Sequence, residues 1–283
     1  MTDFVTRFAP SPSGYLHRGH AFSALNAQTA AQAAGGRLLL RIEDIDLTRC
    51  RPRFEAAILE DLAWLGVAWD GPVRRQSEHL ADYAAALRDL EARGLIYRCF
   101  RTRKEIADEI GRAPHGAMEV FRGAALPQAE EARRLDAREP FAWRLSLAAA
   151  AAELGGFEGL DFVEEGQGPH GERGLIPARP ELGGDVVLAR KDVGVAYHLV
   201  VVFDDALQGV THVVRGQDLF EATHVQRLLQ ALLGLPAPTY RHHRLLTAPD
   251  GRRYAKRDRA ETLRELRAGG VAADALRREI GFD

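Results

Sequence analysis

The sequence predicts an α/β fold in which a parallel sheet is covered by helices on both faces, interrupted by an inserted subdomain and followed by a short helical tail. Three observations predict it. Short apolar runs (Phe4 to Phe8, Arg37 to Ile42, and the runs within Gly184 to Leu219) alternate with helical stretches, as buried parallel strands do. The alternation weakens from Leu95 and returns near Asp185, which marks an insertion. At 283 residues and 46% apolar content, the chain can bury a large core in one or two domains.

The first strand, Phe4 to Phe8, runs into Arg7 to Ala21, RFAPSPSGYLHRGHA, where two prolines and a glycine stop regular structure before a helix begins near His17. A helix start carries unpaired N–H groups and the positive end of the macrodipole, so a phosphate can sit there. Gly19 lets a planar ring approach the backbone, and His17 and His20 share one face of the first turn, where both could donate to a phosphorus centre. Taken by itself, HxGH is equally compatible with two surface histidines beside a turn. Arg7, at a strand end beside this turn, suits bidentate capture of a carboxylate.

The helix from His20 to Ala33 closes at Gly35-Gly36, and the strand Arg37 to Ile42 places Glu43-Asp44-Ile45-Asp46 at its carboxyl end, where such sheets bind ligands. Pro52 to Leu65 reads as an amphipathic helix with proline in its first turn, and Trp64 and Trp69 as core residues. Ser77 is expected to cap a helix over Glu78 to Arg93 that stops at Gly94. Within the insertion the clearest signal is a strand over Phe141 to Leu147. Gly184 to Asp205 reads as two strands separated by a turn, VTHVVRGQDL as a further strand and loop carrying Arg215, and Thr223 to Leu233 as a helix. A basic loop, Gly251 to Arg257, precedes a final helix near Arg259 to Ala268.

Charge and composition exclude several classes. The net charge of −2 gives no global sign of nucleic-acid binding, although the acids gather in Glu153 to Asp185 and basic residues outnumber acids beyond Arg241, enough to follow a phosphate backbone locally. No apolar run reaches membrane-spanning length and the start is not a signal peptide, so a cytoplasmic protein with no membrane partner is expected. Two cysteines, Cys50 and Cys99, make neither a disulfide framework nor a closed metal site and are expected as free thiols.

With its motifs in order, the chain resembles the class I aminoacyl-tRNA synthetases, specifically the glutamyl form, in which RFAPSP(T/S)G precedes LHxGHA; glutaminyl enzymes usually carry proline and an acidic residue in place of Ala9 and Ser11. RIEDID (Arg41 to Asp46), WLGVAWDG (Trp64 to Gly71), AYHLVVVFDD (Ala196 to Asp205) and VVRGQDL (Val213 to Leu219) resemble that family's core segments, and Gly251 to Arg257 stands where it carries KMSKS. The resemblance implies a Rossmann-type sheet of the HIGH superfamily: residues 1–94 and 185–245 as the halves of the catalytic domain, 95–184 as an acceptor-end-like insertion, and 246–283 as the KMSKS-like loop and tail. It implies glutamate binding by Arg7, Phe8, Ala9, Pro10, Ser11, Glu43, Tyr197 and Arg215, and ATP binding by His17, Gly19, His20, Arg253 and Lys256, with His17, His20 and Lys256 catalytic.

Two departures matter. Arg253 replaces the first KMSKS lysine and Ala255 its serine, while Lys256 keeps the second lysine. Related small glutamyl enzymes often bear zinc in the insertion on a CxC pair, a tyrosine and a later cysteine; Cys99-Phe100-Arg101 lacks the partners, so no zinc is expected and His115 is read as a surface residue. Only Asp258 to Asp283 follows the loop, where a standard glutamyl-tRNA synthetase continues into a helical anticodon-binding region. The resemblance is therefore closest to the glutamyl-queuosine tRNA(Asp) synthetases, which implies L-glutamate, ATP, Mg²⁺ and queuosine-bearing tRNA(Asp) as partners of a monomer. A shortened synthetase charging the 3′ end of tRNA(Glu) or tRNA(Gln), and an inert regulatory paralogue, stay open.

Overall fold

The computed structural model describes residues 4–111, 120–190, 194–247 and 261–282. In chain order the elements are β1 (Val5–Phe8), α1 (Arg18–Ala33), β2 (Arg37–Ile42), α2 (Pro52–Trp64), β3 (Arg74–Arg75), α3 (Leu80–Ala92) and β4 (Ile96–Cys99). There follow α4 (Arg103–Gly111), α5 (Gln128–Asp136), β5 (Ala142–Leu145), α6 (Leu147–Leu154), β6 (Asp161–Glu164), β7 (Gly174–Pro177), β8 (Val187–Arg190) and β9 (Gly194–Val195). The remainder is α7 (Tyr197–Leu207), β10 (His212–Gly216), α8 (Phe220–Leu232), β11 (Thr239–His243), α9 (Leu263–Ala268) and α10 (Ala273–Glu279).

β1, β2 and β3 pair in parallel, as do β10, β11 and β6, with β7 added antiparallel at the edge. The two sets meet where the Thr211 N–H donates to the Val5 carbonyl, 2.9 Å away. The chain runs outward from β1 to β2 on one side of that junction and from β10 to β11 on the other. Ligands of open α/β sheets bind at such a reversal, beyond the carboxyl ends of the strands. A separate antiparallel sheet, β4-β5-β8-β9, stands beside this frame. The strands between residues 95 and 184 are thus divided: β4 and β5 belong to the separate sheet, whereas β6 and β7 extend the parallel one.

Two local expectations are corrected, and one strand is added. The second half of Gly184 to Asp205 is not a strand but the helix α7. Its valines favour a strand locally, but Leu199 to Val202, Asp204 and Asp205 are all buried, and burial on every side suits a core helix as well as it suits a strand. Ser77 does not cap α3; it lies in a 3₁₀ turn over Gln76–His79, and its N–H and hydroxyl both donate to the Asp44 carboxylate at 2.8 and 2.6 Å. β11 is a strand with no counterpart among the sequence expectations.

One apolar cluster unites α3, α7, α8 and β10 with the separate sheet; the other unites α1, β2 and α2 with Leu263, Leu266, Leu276 and Ile280 of the last two helices. Trp64 and Trp69 pack against the second cluster. Asp61 of α2 is fully buried beneath α9, neither carboxyl oxygen has a hydrogen bond, and Arg267 Nη2 is 3.7 Å away. Burial raises its pKa to about 6 against the pull of Arg267. A carboxyl group raised on folding binds its proton more tightly in the native state, so its contribution is present at low pH and lost as pH rises from about 4 towards 6. Asp61→Asn is therefore expected to stabilise the fold by about 2–3 kcal/mol at pH 7.5 and by little at pH 4, measured as urea midpoints at the two pH values.

Candidate active site

At the junction of the two parallel strand sets lies a cleft of about 640 Å³. Arg7 and Phe8 end β1, Glu43 follows β2, Arg215 and Gly216 end β10, and His243 ends β11, so the lining comes from the carboxyl ends of four strands. Ala9, Pro10, Ser11, His17, Gly19, His20 and Tyr197 also line it, which brings together every expected site residue except Arg253 and Lys256. Those two and His115 lie outside the described residues. On either side of the stretch that holds Arg253 and Lys256, Leu246 lines the cleft and Thr262 forms an antiparallel bridge with His17. A larger hollow of about 800 Å³ beside α6, whose lining includes Leu147, Phe157 and Pro177 together with Arg122, Glu158 and Asp185, contains none of these groups.

The two histidines expected on the first turn of the helix also cap it. His17 is the N-cap residue of α1, and its Nδ1 accepts from the Gly19 N–H at 3.1 Å, while His20 Nδ1 accepts from the His17 N–H at 3.1 Å. This is a capping box with histidine in both roles, and the three-residue spacing is what it requires. An amide N–H can only donate, so both Nδ1 atoms are unprotonated and each neutral ring carries its proton on Nε2. The rings stand 3.8 Å apart between centroids. The Gly19 N–H, one of the groups expected to meet a phosphate, is instead taken by His17.

Arg7 is 5% exposed, and its Nε–H donates to Asp205 Oδ1 at 2.9 Å. That bond commits the Nε edge and leaves the Nη1/Nη2 edge for a carboxylate. Behind it lies an ionic cluster. The fully buried Arg41 donates from Nη1 to Asp205 at 2.6 Å and from Nη2 to Glu43 at 3.2 Å. Asp204 in turn accepts from Arg74, Gln76 and Tyr83 at 2.9–3.0 Å. Burial pulls the Arg41 pKa down, but Asp205, Glu43 and Asp204 outweigh it and the net shift is upward. Burial pushes Asp205 up, and Arg7 and Arg41 reverse the sign, holding its carboxyl below the usual range. For Glu43 burial prevails over Arg41 and Arg7, and the pKa is raised.

Arg215, also 5% exposed, donates from Nε to His242 Nε2 at 3.1 Å and from Nη2 to the Leu219 carbonyl and the Thr223 hydroxyl at 3.1 and 2.8 Å. Tyr197 opens α7 beside it, its phenol pKa raised by burial against the opposing field of Arg215. Three guanidinium groups, Arg7, Arg49 and Arg215, and two carboxylates, Glu43 and Asp218, thus line one cleft; Arg7, Arg215 and Glu43 among them are the complement of an amino acid with two carboxylates and one ammonium group. Arg41, Glu164, Asp204, Asp205 and His242 were absent from the sequence expectations. The adjacent Asp204-Asp205 inside an apolar run was the one local signal that charges are buried there.

Among the described residues no group of three or more His, Cys, Asp or Glu is disposed to hold a metal, and Cys50 and Cys99 are free thiols. No helix among the described residues is long and apolar enough to cross a membrane.

The profile of the family described as "tRNA synthetases class I (E and Q), catalytic domain" matches residues 3–151 and 171–281, leaving the stretch that contains β6 outside the match. The Glutamyl-Q tRNA(Asp) synthetase of Rhodobacter capsulatus is 48% identical over 286 aligned positions, covering 98% of this chain and 100% of that protein. The Glutamyl-Q tRNA(Asp) synthetase of Nocardia farcinica is 44% identical, covering 95% of this chain and 81% of the relative. Among solved structures, a glutamate tRNA ligase from Elizabethkingia meningosepticum, crystallised in complex with its amino acid, superposes with a TM-score of 0.73 at 27% identity. The alignment covers 90% of this chain and 52% of that ligase, so the chain spans about half its length.

Proposed function

The chain belongs to the class I glutamyl and glutaminyl tRNA synthetase family, and from that premise we propose that it activates L-glutamate with ATP and transfers it to the queuosine base at the wobble position of tRNA(Asp). The observation that carries this reading is full-length similarity to the Rhodobacter capsulatus protein of that activity, together with a cleft whose charges match glutamate.

The side-chain carboxylate of glutamate lies on the Nη1/Nη2 edge of Arg7, its ammonium group against Glu43, and its backbone end near Tyr197 and Arg215. Phe8, Ala9, Pro10 and Ser11 form the wall beside it. The α-carboxylate oxygen attacks the α-phosphorus of ATP in line, the bond to pyrophosphate breaks, and glutamyl-adenylate forms. The Nε2–H groups of His17 and His20 donate to the oxygens on which charge develops, and Gly19 lies under the nucleotide. Mg²⁺ arrives on the phosphates as part of the nucleotide substrate. Arg253 and Lys256, between Leu246, which lines the cleft, and Thr262, which bridges to His17, neutralise the departing pyrophosphate. A hydroxyl of the queuosine cyclopentenediol then attacks the adenylate carbonyl; an ester forms, and AMP and a proton leave.

The test is transfer of labelled glutamate, with ATP and Mg²⁺, to two matched tRNA pools, one containing queuosine and one from cells unable to make it. Label is expected on the queuosine pool alone. Equal labelling of both would overturn the proposed acceptor in favour of 3′-end charging. No glutamate-dependent ATP–pyrophosphate exchange at all would mark an inert relative.

A further inference from the structure

We infer that His242 and Glu164 are positioning residues for glutamate, holding the Arg215 guanidinium in the cleft through a buried relay of hydrogen bonds; this rests on the reading that Arg215 binds the amino acid. The three residues occupy neighbouring strands. β10 and β11 pair Arg215 with His242, and β11 and β6 pair Tyr240 with Glu164, so the sheet order brings the three side chains into line. All are 5% exposed or less.

The donors and acceptors permit only one arrangement. Arginine has donors only, so His242 Nε2, 3.1 Å from Arg215 Nε, must accept, and the imidazole proton sits on Nδ1. Nδ1–H then donates to Glu164 Oε2 at 2.5 Å. The other oxygen, Oε1, accepts from the backbone N–H groups of His242 and Gly166 at 2.9 and 2.8 Å, so three hydrogen bonds pin the carboxylate. Gly166 has to be glycine for this packing, since a Cβ there would lie 2.2 Å from the His242 carbonyl oxygen. Phe220 meets the His242 ring edge-on with centroids 5.2 Å apart, which fixes its plane.

The consequence falls on Arg215. Its Nε is held by the relay and its Nη2 by Leu219 and Thr223, and among the described residues no hydrogen bond reaches Nη1. Nη1 is therefore the nitrogen that meets the substrate, and its direction is set by how firmly Nε is held. An imidazole with its proton on the wrong nitrogen would turn a donor towards the Nε–H and push the guanidinium away. Glu164 prevents this by fixing the tautomer, as outer partners do for other functional histidines. Neither β6 nor Glu164 lies in the segments that the family profile matches.

Glu164→Gln, His242→Leu and His242→Gln in the full chain, compared by glutamate-dependent ATP–pyrophosphate exchange with tRNA present, test the relay. In Glu164→Gln the amide oxygen keeps the two backbone N–H groups, while the NH₂ faces His242 Nδ1 and drives the proton to Nε2. Glu164→Gln and His242→Leu are expected to raise the KM for glutamate about tenfold or more, with the KM for ATP within about twofold of the parent. His242→Gln, which can accept from Arg215 and donate to Glu164, is expected to stay within about threefold. An unchanged glutamate KM in Glu164→Gln, whatever its thermal stability, would overturn the inference. So would a parallel rise in both KM values, or a His242→Gln variant no better than His242→Leu. Absence of exchange in the parent would overturn the functional reading and this inference together; a parent that is active beside an unaffected Glu164→Gln overturns the inference alone.

Discussion

Arg7→Ala is expected to lower kcat/KM for glutamate in ATP–pyrophosphate exchange by roughly 30-fold to several thousand-fold, the kinetic equivalent of about 2–5 kcal/mol for truncating one partner of a buried charge pair. The effect is large because, in the proposed binding of glutamate, the Nη edge of Arg7 would supply both donors to its side-chain carboxylate, and water would not replace them at a site 5% exposed. The fold should survive, since Asp205 keeps its 2.6 Å bond to Arg41 when Arg7 is removed. Circular dichroism like the parent's and a lowered but still cooperative melting transition above the assay temperature, beside a lost exchange signal, are the expected results. Exchange at the parental rate would remove Arg7 from the glutamate site.

Arg41→Met carries the largest expected effect on stability. The guanidinium is completely buried between Asp205 and Glu43, with Asp204 3.8 Å from its Nε. Arg7, Arg41 and Arg74 balance Glu43, Asp204 and Asp205, so removing the central cation leaves buried carboxylates with too little opposing charge. Breaking a buried ionic contact from one side costs about 3–5 kcal/mol, and a urea midpoint shift of that equivalent is expected. Activity should fall as well, because Glu43 and Arg7 are both set by this cluster. A shift under about 1 kcal/mol would mean that water or local rearrangement compensates for the missing charge.

The remaining features divide by how local their causes are. The HxxH spacing placed both histidines on the first turn of α1 from sequence, but their mutual capping, which fixes each tautomer, needed the backbone geometry. The apolar run before Asp204-Asp205 was compatible with a strand, and only its enclosure by other elements made it the helix α7, which delivers Tyr197 to the cleft at one end and Asp205 to Arg7 at the other. β11 escaped detection because Thr239 to His243 is largely polar: Tyr240 and His242 are buried through hydrogen bonds and aromatic packing, with no apolar alternation to announce a strand.

The sequence by itself determined the parallel α/β frame, the position of the glycine- and proline-rich loop before the first helix, the order of the motifs, and the residues at the ends of β1, β2 and β10 that meet in the cleft. Those are legible because periodicity, turn residues and strand ends act over a few neighbouring positions. Only the tertiary structure decided which charges share a site. Arg7 and Asp205 are 198 residues apart in sequence, Arg41 and Asp205 164 apart, and His242 and Glu164 78 apart. Each is a buried ion or polar group that is tolerable only with its partner, and no local pattern names a partner brought in by the pairing of distant strands.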